Sequence, residues 1–474
     1  MNRGKELTKN TMIVSIGKIC TQGISFLLLP LYTAKLTTEQ YGTVDLLNTY
    51  VTLLIPIVIF EIQQAVFRHL IDARKDENEK KVLISTTVLI AIIQSIIFLI
   101  IYSIIGQFIQ NDYKYFLATN VVATIFSSIM LQIARGVGNN KVYAVGSFIT
   151  ASVTIILNVI FIVGFNMGAY GMLLASLLAN ILCTMYIVIR LKLYTYITLQ
   201  GFKVQKLKEM WKYCVPLIPN SISWWVMAAS DRTIITAILD IGANGIYSAA
   251  NKFSSIFSTL YNIFSITWTE SASIHIKDED AAEYFSSTIN KVFKLFASLC
   301  FGIIACMPFA FPLLINQNYA QAYGQIPILM LGALCNVMVI LLSAIYIAKK
   351  MTKKVTQTSV FSAIINIVVN ILLIHYIGLY AASISTFIAY LTMMIVRMIN
   401  IRKYINIKFD IKALIQIVGM SILLLTSYYL NITILNITVL IITVLYSFWT
   451  NRDIVIVLKK IGIKTIKEKI FKIS

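Results

Sequence analysis

From near residue 12 to near residue 450 the chain is a series of long, unbroken apolar runs separated by short clusters of Lys, Arg, Asn and Gly. None of the runs alternates apolar with polar positions, as the strands of a membrane barrel would. Each is close to the ~20 residues that carry a helix across the hydrocarbon of a bilayer. Polar breaks place the spans at 12–34, 42–66, 81–105, 115–134, 143–165, 169–190, 213–239, 243–269, 289–315, 322–348, 357–376, 379–397, 412–430 and 432–450. Only helices and closed barrels satisfy the backbone in lipid. The pattern therefore predicts an all-α polytopic membrane protein of about fourteen transmembrane helices.

Composition agrees. Of 474 residues, 58% are hydrophobic and 13% charged, against roughly 45–50% and 25% in soluble domains, and mean hydropathy is +0.81. Little chain remains for a soluble catalytic domain. The net charge of +20 would suggest nucleic acid in a soluble protein, but here the cations punctuate apolar runs. With the amino terminus in the cytoplasm, all but five of the 40 Lys and Arg fall in the cytoplasmic segments or at the cytoplasmic ends of the spans beside them. Lys35 and Lys114 lie outside, and Lys18, Arg232 and Lys252 lie within spans. A missed helix would scramble this alternation, so the positive-inside bias supports both the count and cytoplasmic termini. The basic start, Met1 to Lys9, precedes an apolar run too long for a signal-peptide core, which is expected to remain as the first helix. The six cysteines sit in apolar runs without Cys-x-x-Cys spacing, as small buried hydrophobes, so neither disulfide framework nor metal site is expected. His69 and His375 are solitary.

The chain repeats itself. At one constant offset Thr33, Ala34, Leu36, Gly42 and Asn48 recur as Thr236, Ala237, Leu239, Gly245 and Asn251, each block closing one helix and opening the next. Farther on, Asn158 recurs as Asn370, and the turn Gly168-Ala-Tyr170 as Gly378-Leu-Tyr380. Duplication of a six-helix unit puts both halves the same way up, with substrate expected in a central cavity at their interface. The expected organisation is an N-lobe at 1–192 (helices one to six), a basic cytoplasmic linker at 193–212 and a C-lobe at 213–400 (helices seven to twelve). Residues 401–474 add two extra helices and a basic tail.

The stretch Tyr213-Cys-Val-Pro216-Leu-Ile-Pro219-Asn220-Ser-Ile-Ser-Trp-Trp225, then Ser230-Asp231-Arg232 and Gly245-Ile-Tyr247-Ser-Ala-Ala-Asn251-Lys252, resembles helices seven and eight of the Wzx-like oligosaccharide flippases of bacterial polysaccharide biosynthesis. Gly17-Lys18, Phe26-Leu-Leu-Leu-Pro30-Leu-Tyr32, Leu36 and Tyr41-Gly42 are similar to that group's opening hairpin. The topology agrees over essentially the whole chain, the motifs only in helices one, two, seven and eight. The wider multidrug/oligosaccharidyl-lipid/polysaccharide exporter superfamily shares the architecture.

What the resemblance implies is a bacterial cell-membrane protein, not an enzyme and without cofactor, that flips undecaprenyl-pyrophosphate-linked glycan units from the inner to the outer leaflet by alternating access between lobes. It implies coupling to H+ or Na+ in some members, a glycan polymerase as neighbour, and no nucleic-acid partner. A multidrug cation antiporter and a peptidoglycan lipid precursor flippase are the alternatives within the superfamily. A membrane glycan polymerase or transferase would need a large outer loop and a pair of carboxylates, and the pattern offers neither.

A pyrophosphate in a low-dielectric interior requires cations there, and ionisable groups within spans are functional candidates by default. Lys18 is expected roughly 9 Å in from the cytoplasmic end of helix one, and Lys252 about 14 Å in from the outer end of helix eight. Arg232, near the outer end of helix seven, could take two phosphate oxygens at once. Lys252 lines a cavity, pairs with Asp231 or Asp45 as a structural lock, or snorkels. Among acids, Glu61, Asp231 and Asp45 are candidates for ion coupling or for neutralising these cations. Trp224, Trp225 and Tyr247 are candidates for stacking on sugars, helix packing being the other account of them. Pro30 and Pro56 are expected to interrupt helices one and two, and Pro216 and Pro219 helix seven, as candidate hinges.

Single cysteines introduced near positions 107, 200 and 350 test the orientation. A membrane-impermeant maleimide added to intact cells is expected to label only the first. Labelling from outside at 200 would reverse the topology.

Overall fold

The computed structural model describes residues 26, 28–108 and 111–453. Its α-helices are α1 (Leu29–Lys35), α2 (Thr38–Ile59), α3 (Ile62–Asp72), α4 (Glu77–Ile105), α5 (Lys114–Gly136), α6 (Asn140–Val159), α7 (Gly168–Arg190), α8 (Val204–Cys214), α9 (Ile218–Ile238), α10 (Ile241–His275), α11 (Ala281–Leu314), α12 (Ala322–Ala348), α13 (Thr352–Ile377), α14 (Tyr380–Ile401), α15 (Ile411–Leu430) and α16 (Thr433–Thr450). Among the described residues, 11 helical segments are long and apolar enough to cross a membrane. The chain is thus an all-α polytopic membrane protein. Most of the first expected span lies outside the described residues, and α1 is its end.

Two expected spans are built differently. The span at 42–66 is two helices, because Phe60 and Glu61 both take left-handed backbone (φ 50° and 58°), ending α2 and starting α3. Neither is glycine, so the break carries local strain. Pro56 lies one turn earlier, inside α2. The span at 213–239 begins later. α8 ends at Cys214, a 3-10 turn covers Val215–Leu217, and α9 starts at Ile218. Pro216 and Pro219 therefore stand at a junction and in a first turn, where the missing N–H costs nothing, rather than inside one helix. Pro30 likewise occupies the first turn of α1. The basic linker is partly helical: α8 buries Leu207, Met210 and Cys214 against α3 and α4, and Lys206 bridges Glu79 and Glu209 at 2.9 and 3.0 Å.

The fold divides into two compact units, Met1–Ala249 with Ile371–Leu379 and Ala250–Asn370 with Tyr380–Ser474. In the first, α5 packs against α3 and α7, and α7 against α6, around a core that includes Val66, Leu70, Val121, Ile129, Ile133 and Ile187. In the second, α12 is the interior element. In its apolar stretch 83% of the residues are buried, against 17% for α16, and it packs on α11 and α14. Trp268 Nε1 donates to the Leu341 carbonyl at 3.0 Å, tying α10 to α12.

Arg397, which the charge pattern assigns to a cytoplasmic loop, is instead 1% exposed in α14. Its guanidinium donates to the Val339 carbonyl and Ser343 of α12, and to the Val355 carbonyl, Thr358 and Ser359 of α13. All five N–H groups are satisfied by neutral acceptors, which pins the three helices together.

The internal repeat has a structural counterpart in the first unit. Gly42 and Gly245, equivalent in the repeat, face each other. A Cβ at Gly42 would meet the Ile241 carbonyl and lie 2.8 Å from Gly245 N; a Cβ at Gly245 would meet the Thr38 carbonyl and lie 3.0 Å from Gly42 N. Thr38 and Ile241 are themselves equivalent positions, so the two contacts are related by a local twofold. Replacing either glycine by Ala is expected to destabilise the protein by about 1–3 kcal/mol, because backbone must move. Gly302→Ala, whose Cβ would meet nothing within 4 Å, is expected to be neutral or to gain up to about 1 kcal/mol from helix propensity. Thermal unfolding of the purified variants reads both.

Candidate functional site

α2, α9 and the first turns of α10 meet in the first unit. Asn244 Nδ2 donates to the Gly42 carbonyl at 2.9 Å, and Trp225 Nε1 to the Thr49 carbonyl at 2.9 Å. Between these anchors lies a charged cluster. Arg232 Nε donates to Asp45 Oδ2 at 2.6 Å, the two side chains being 13% and 18% exposed. Tyr247 OH donates to Asp231 Oδ2 at 2.9 Å, with both residues buried. Consecutive helical residues point about 100° apart, so Asp231 and Arg232 serve two different neighbours: the acid turns to α10, the guanidinium to α2. One turn of α9 thereby grips both repeats.

The structure thus brings together Asp45, Trp225, Asp231, Arg232 and Tyr247. Asp45 is engaged by Arg232, and Asp231 by Tyr247. Lys252 lies half-buried in α10 and belongs to the second unit. Glu61 stands apart from the cluster, at the α2–α3 break, 6% exposed, and accepts from Gln63 Nε2 at 2.6 Å. Lys18 lies outside the described residues, as does the side chain of Trp224. Trp225 and Tyr247 direct their polar atoms to the Thr49 carbonyl of α2 and to Asp231. Asn244, which sequence reasoning passed over, carries no charge to mark it. Its only signal is its place beside Gly245 in the repeated hairpin. Among the described residues no group of three or more His, Cys, Asp or Glu side chains is placed to hold a metal ion.

Over residues 7–269 the sequence matches a polysaccharide biosynthesis protein family. No curated protein matches it. Several solved membrane proteins share its fold. An inward-facing multidrug resistance MATE family transporter of the MOP superfamily aligns with a TM-score of 0.67 at 13% identity, over 82% of this chain and 97% of its own. The lipid II flippase MurJ in an inward closed conformation aligns with a TM-score of 0.65 at 14% identity, over 94% of this chain and all of its own. An outward-facing MATE transporter gives 0.56 at 15%, over 83% and 95%.

Removing one member of the Asp45–Arg232 pair leaves the other charge poorly solvated, at a cost of about 3–5 kcal/mol where burial is complete. Asp45→Asn and Arg232→Gln are each expected to lower the melting temperature, and the double variant to recover much of the loss. A double variant no more stable than the additive sum would show that the two charges are not coupled.

Proposed function

The chain belongs to the polysaccharide biosynthesis protein family, and from that premise we propose that it is a bacterial cell-membrane flippase for undecaprenyl-pyrophosphate-linked oligosaccharides. It carries repeat units from the inner to the outer leaflet for capsule, O-antigen or exopolysaccharide synthesis, and performs no covalent chemistry. The family match carries this reading, since it covers both copies of the repeated hairpin and the whole Asp45–Arg232–Asp231–Tyr247 cluster.

In this proposal fourteen helices form two six-helix lobes, 1–192 and 213–400, joined by the basic linker 193–212, with 401–474 appended and both termini in the cytoplasm. The lobes rock about the Gly42–Gly245 contact, where small residues let two backbones slide without interlocked side chains. Pro30, Pro56, Pro216 and Pro219 flank the segments that bend. Lys18, Arg232 and Lys252 take the pyrophosphate in turn, Arg232 exchanging its Asp45 partner for phosphate oxygens. That exchange supplies a reason for the pair: the guanidinium stays neutralised while the path is empty, and Asp45 is released when cargo arrives. Asp45, Asp231 and Glu61 are the groups open to coupling with H+ or Na+. Trp224, Trp225 and Tyr247 border the sugar path, and a glycan polymerase receives the cargo.

A multidrug cation antiporter of the same fold would use free carboxylates as its cation site. Asp45 already carries a guanidinium and Asp231 a tyrosine proton, which supports the anionic cargo. A lipid II flippase would share the pyrophosphate chemistry and differ in phenotype, because its loss stops growth rather than surface glycan alone.

Lys252→Ala is expected to abolish surface glycan while the protein still reaches the membrane, and Lys252→Arg to retain it in part. Immunoblotting of membranes with staining of surface polysaccharide checks both. Normal glycan in the alanine variant would remove Lys252 from the path.

A further inference from the structure

The first unit contains an open cavity of about 420 Å³ lined by α5, α6 and α7 together with Leu28 and Tyr32. This lies within the size range of small-ligand sites. α6 has two contrasting faces. Val145, Phe148, Ile156 and Val159 are exposed and wholly apolar, as a lipid-facing surface must be. Its hydroxyls, Ser147, Thr150 and Thr154, line the cavity instead.

The hydrogen-bond state of the wall says what it would accept. Thr150 and Thr154 donate their protons to the Gly146 and Thr150 carbonyls at 3.1 and 2.7 Å. Ser128 on α5 donates to the Ile125 carbonyl at 2.8 Å. These oxygens keep lone pairs toward the cavity, which a ligand carrying donors can use. Tyr32 OH accepts from Asn158 at 2.7 Å and retains its own proton to give. Between the polar atoms lie Leu131, Ala151 and Ile155, a surface for C–H groups. Donor hydroxyls on an otherwise apolar ring describe a sugar, and a hydrocarbon chain would leave the lone pairs unused.

One helical turn beyond the lining on α5 stands a cation. On α5 the lining positions Thr124, Ser128 and Leu131 continue, at helical spacing, to Arg135; on α6 the position one turn before Ser147 is Tyr143. The Arg135 guanidinium is held over the Tyr143 ring at 5.3 Å and the Phe67 ring at 4.6 Å. Gln132 Oε1 accepts from it at 3.4 Å. No described carboxylate forms an ion pair with it. Stacked on aromatic faces, a guanidinium keeps its charge and leaves in-plane N–H groups for an oxyanion.

We propose that this cavity binds a glycosyl phosphate, the sugar ring among the hydroxyls of α5 and α6 and the phosphate on Arg135. The proposal rests on the lipid-linked glycan reading above, and assigns capture of the sugar nearest the phosphate to the cytoplasmic end of the first unit.

The test uses the full chain in nanodiscs, with its own cysteines replaced and Thr150→Cys introduced, and follows modification by anionic and cationic methanethiosulfonates. The anionic reagent is expected to react at least tenfold faster. Arg135→Gln should erase that preference and Arg135→Lys should keep it, with melting temperatures confirming that both fold. Millimolar glucose 1-phosphate should slow the reaction several-fold more than inorganic phosphate. Equal rates for the two reagents, or a preference indifferent to Arg135→Gln, would overturn the phosphate site. Protection by inorganic phosphate equal to that by glucose 1-phosphate, or no protection by either, would overturn the sugar site. Should these fail while Lys252→Ala still abolishes surface glycan, the flippase reading stands and the cavity assignment falls. Should they succeed while cells lacking the protein keep normal surface glycan, the flippase reading falls and the cavity assignment stands.

Discussion

A guanidinium on a membrane helix has no water to solvate it at depth, so it must find its partners on neighbouring helices. The chain meets this constraint in three ways. Arg232 takes a carboxylate across the α2–α9 contact. Arg397 spreads its charge over neutral hydroxyls and carbonyls of α12 and α13. Arg135 lies between two aromatic rings. Each solution leaves a different capacity behind. An arginine with five neutral acceptors has nothing left to offer, and acts as a pin. One paired with aspartate can exchange that partner for another anion. One held by ring faces keeps most of its hydrogen-bonding edge for another acceptor.

The close backbone approach at Gly42 and Gly245 makes the second of these positions coherent. Because the two repeats touch through glycine, α9 can lie near enough to α2 for Arg232 to reach Asp45 and for Trp225 to reach the Thr49 carbonyl. Geometry without side chains at one point sets the geometry of side chains one and two turns away. The symmetry ends there: the position equivalent to Asp45 is Ser248, so the charge belongs to one repeat and the glycine contact to both.

How much could be read from the residues differed by element. The helices of the membrane were legible because lipid requires some twenty apolar residues in succession. The break at Phe60 and Glu61 was not legible, since neither residue type asks for left-handed backbone. Asp45, Asp231 and Arg232 were each visible as charges within or beside apolar runs. Their pairing was not, because Asp45 and Arg232 are separated by 187 positions and no local rule selects between Asp231 and Asp45. Arg397 looked like a loop cation because it closes an apolar run, while burial made it an interior residue.

The sequence by itself determined the class of solvent this chain folds in, the succession of apolar helices and the internal repeat of residues. These depend on local composition and spacing, which hydrocarbon reads directly. Only the tertiary structure decided which charge meets which, where a helix breaks, and that the hydroxyls of α5 and α6 enclose a cavity. Those outcomes depend on distances between segments far apart in the chain, and such distances exist only once the helices have packed.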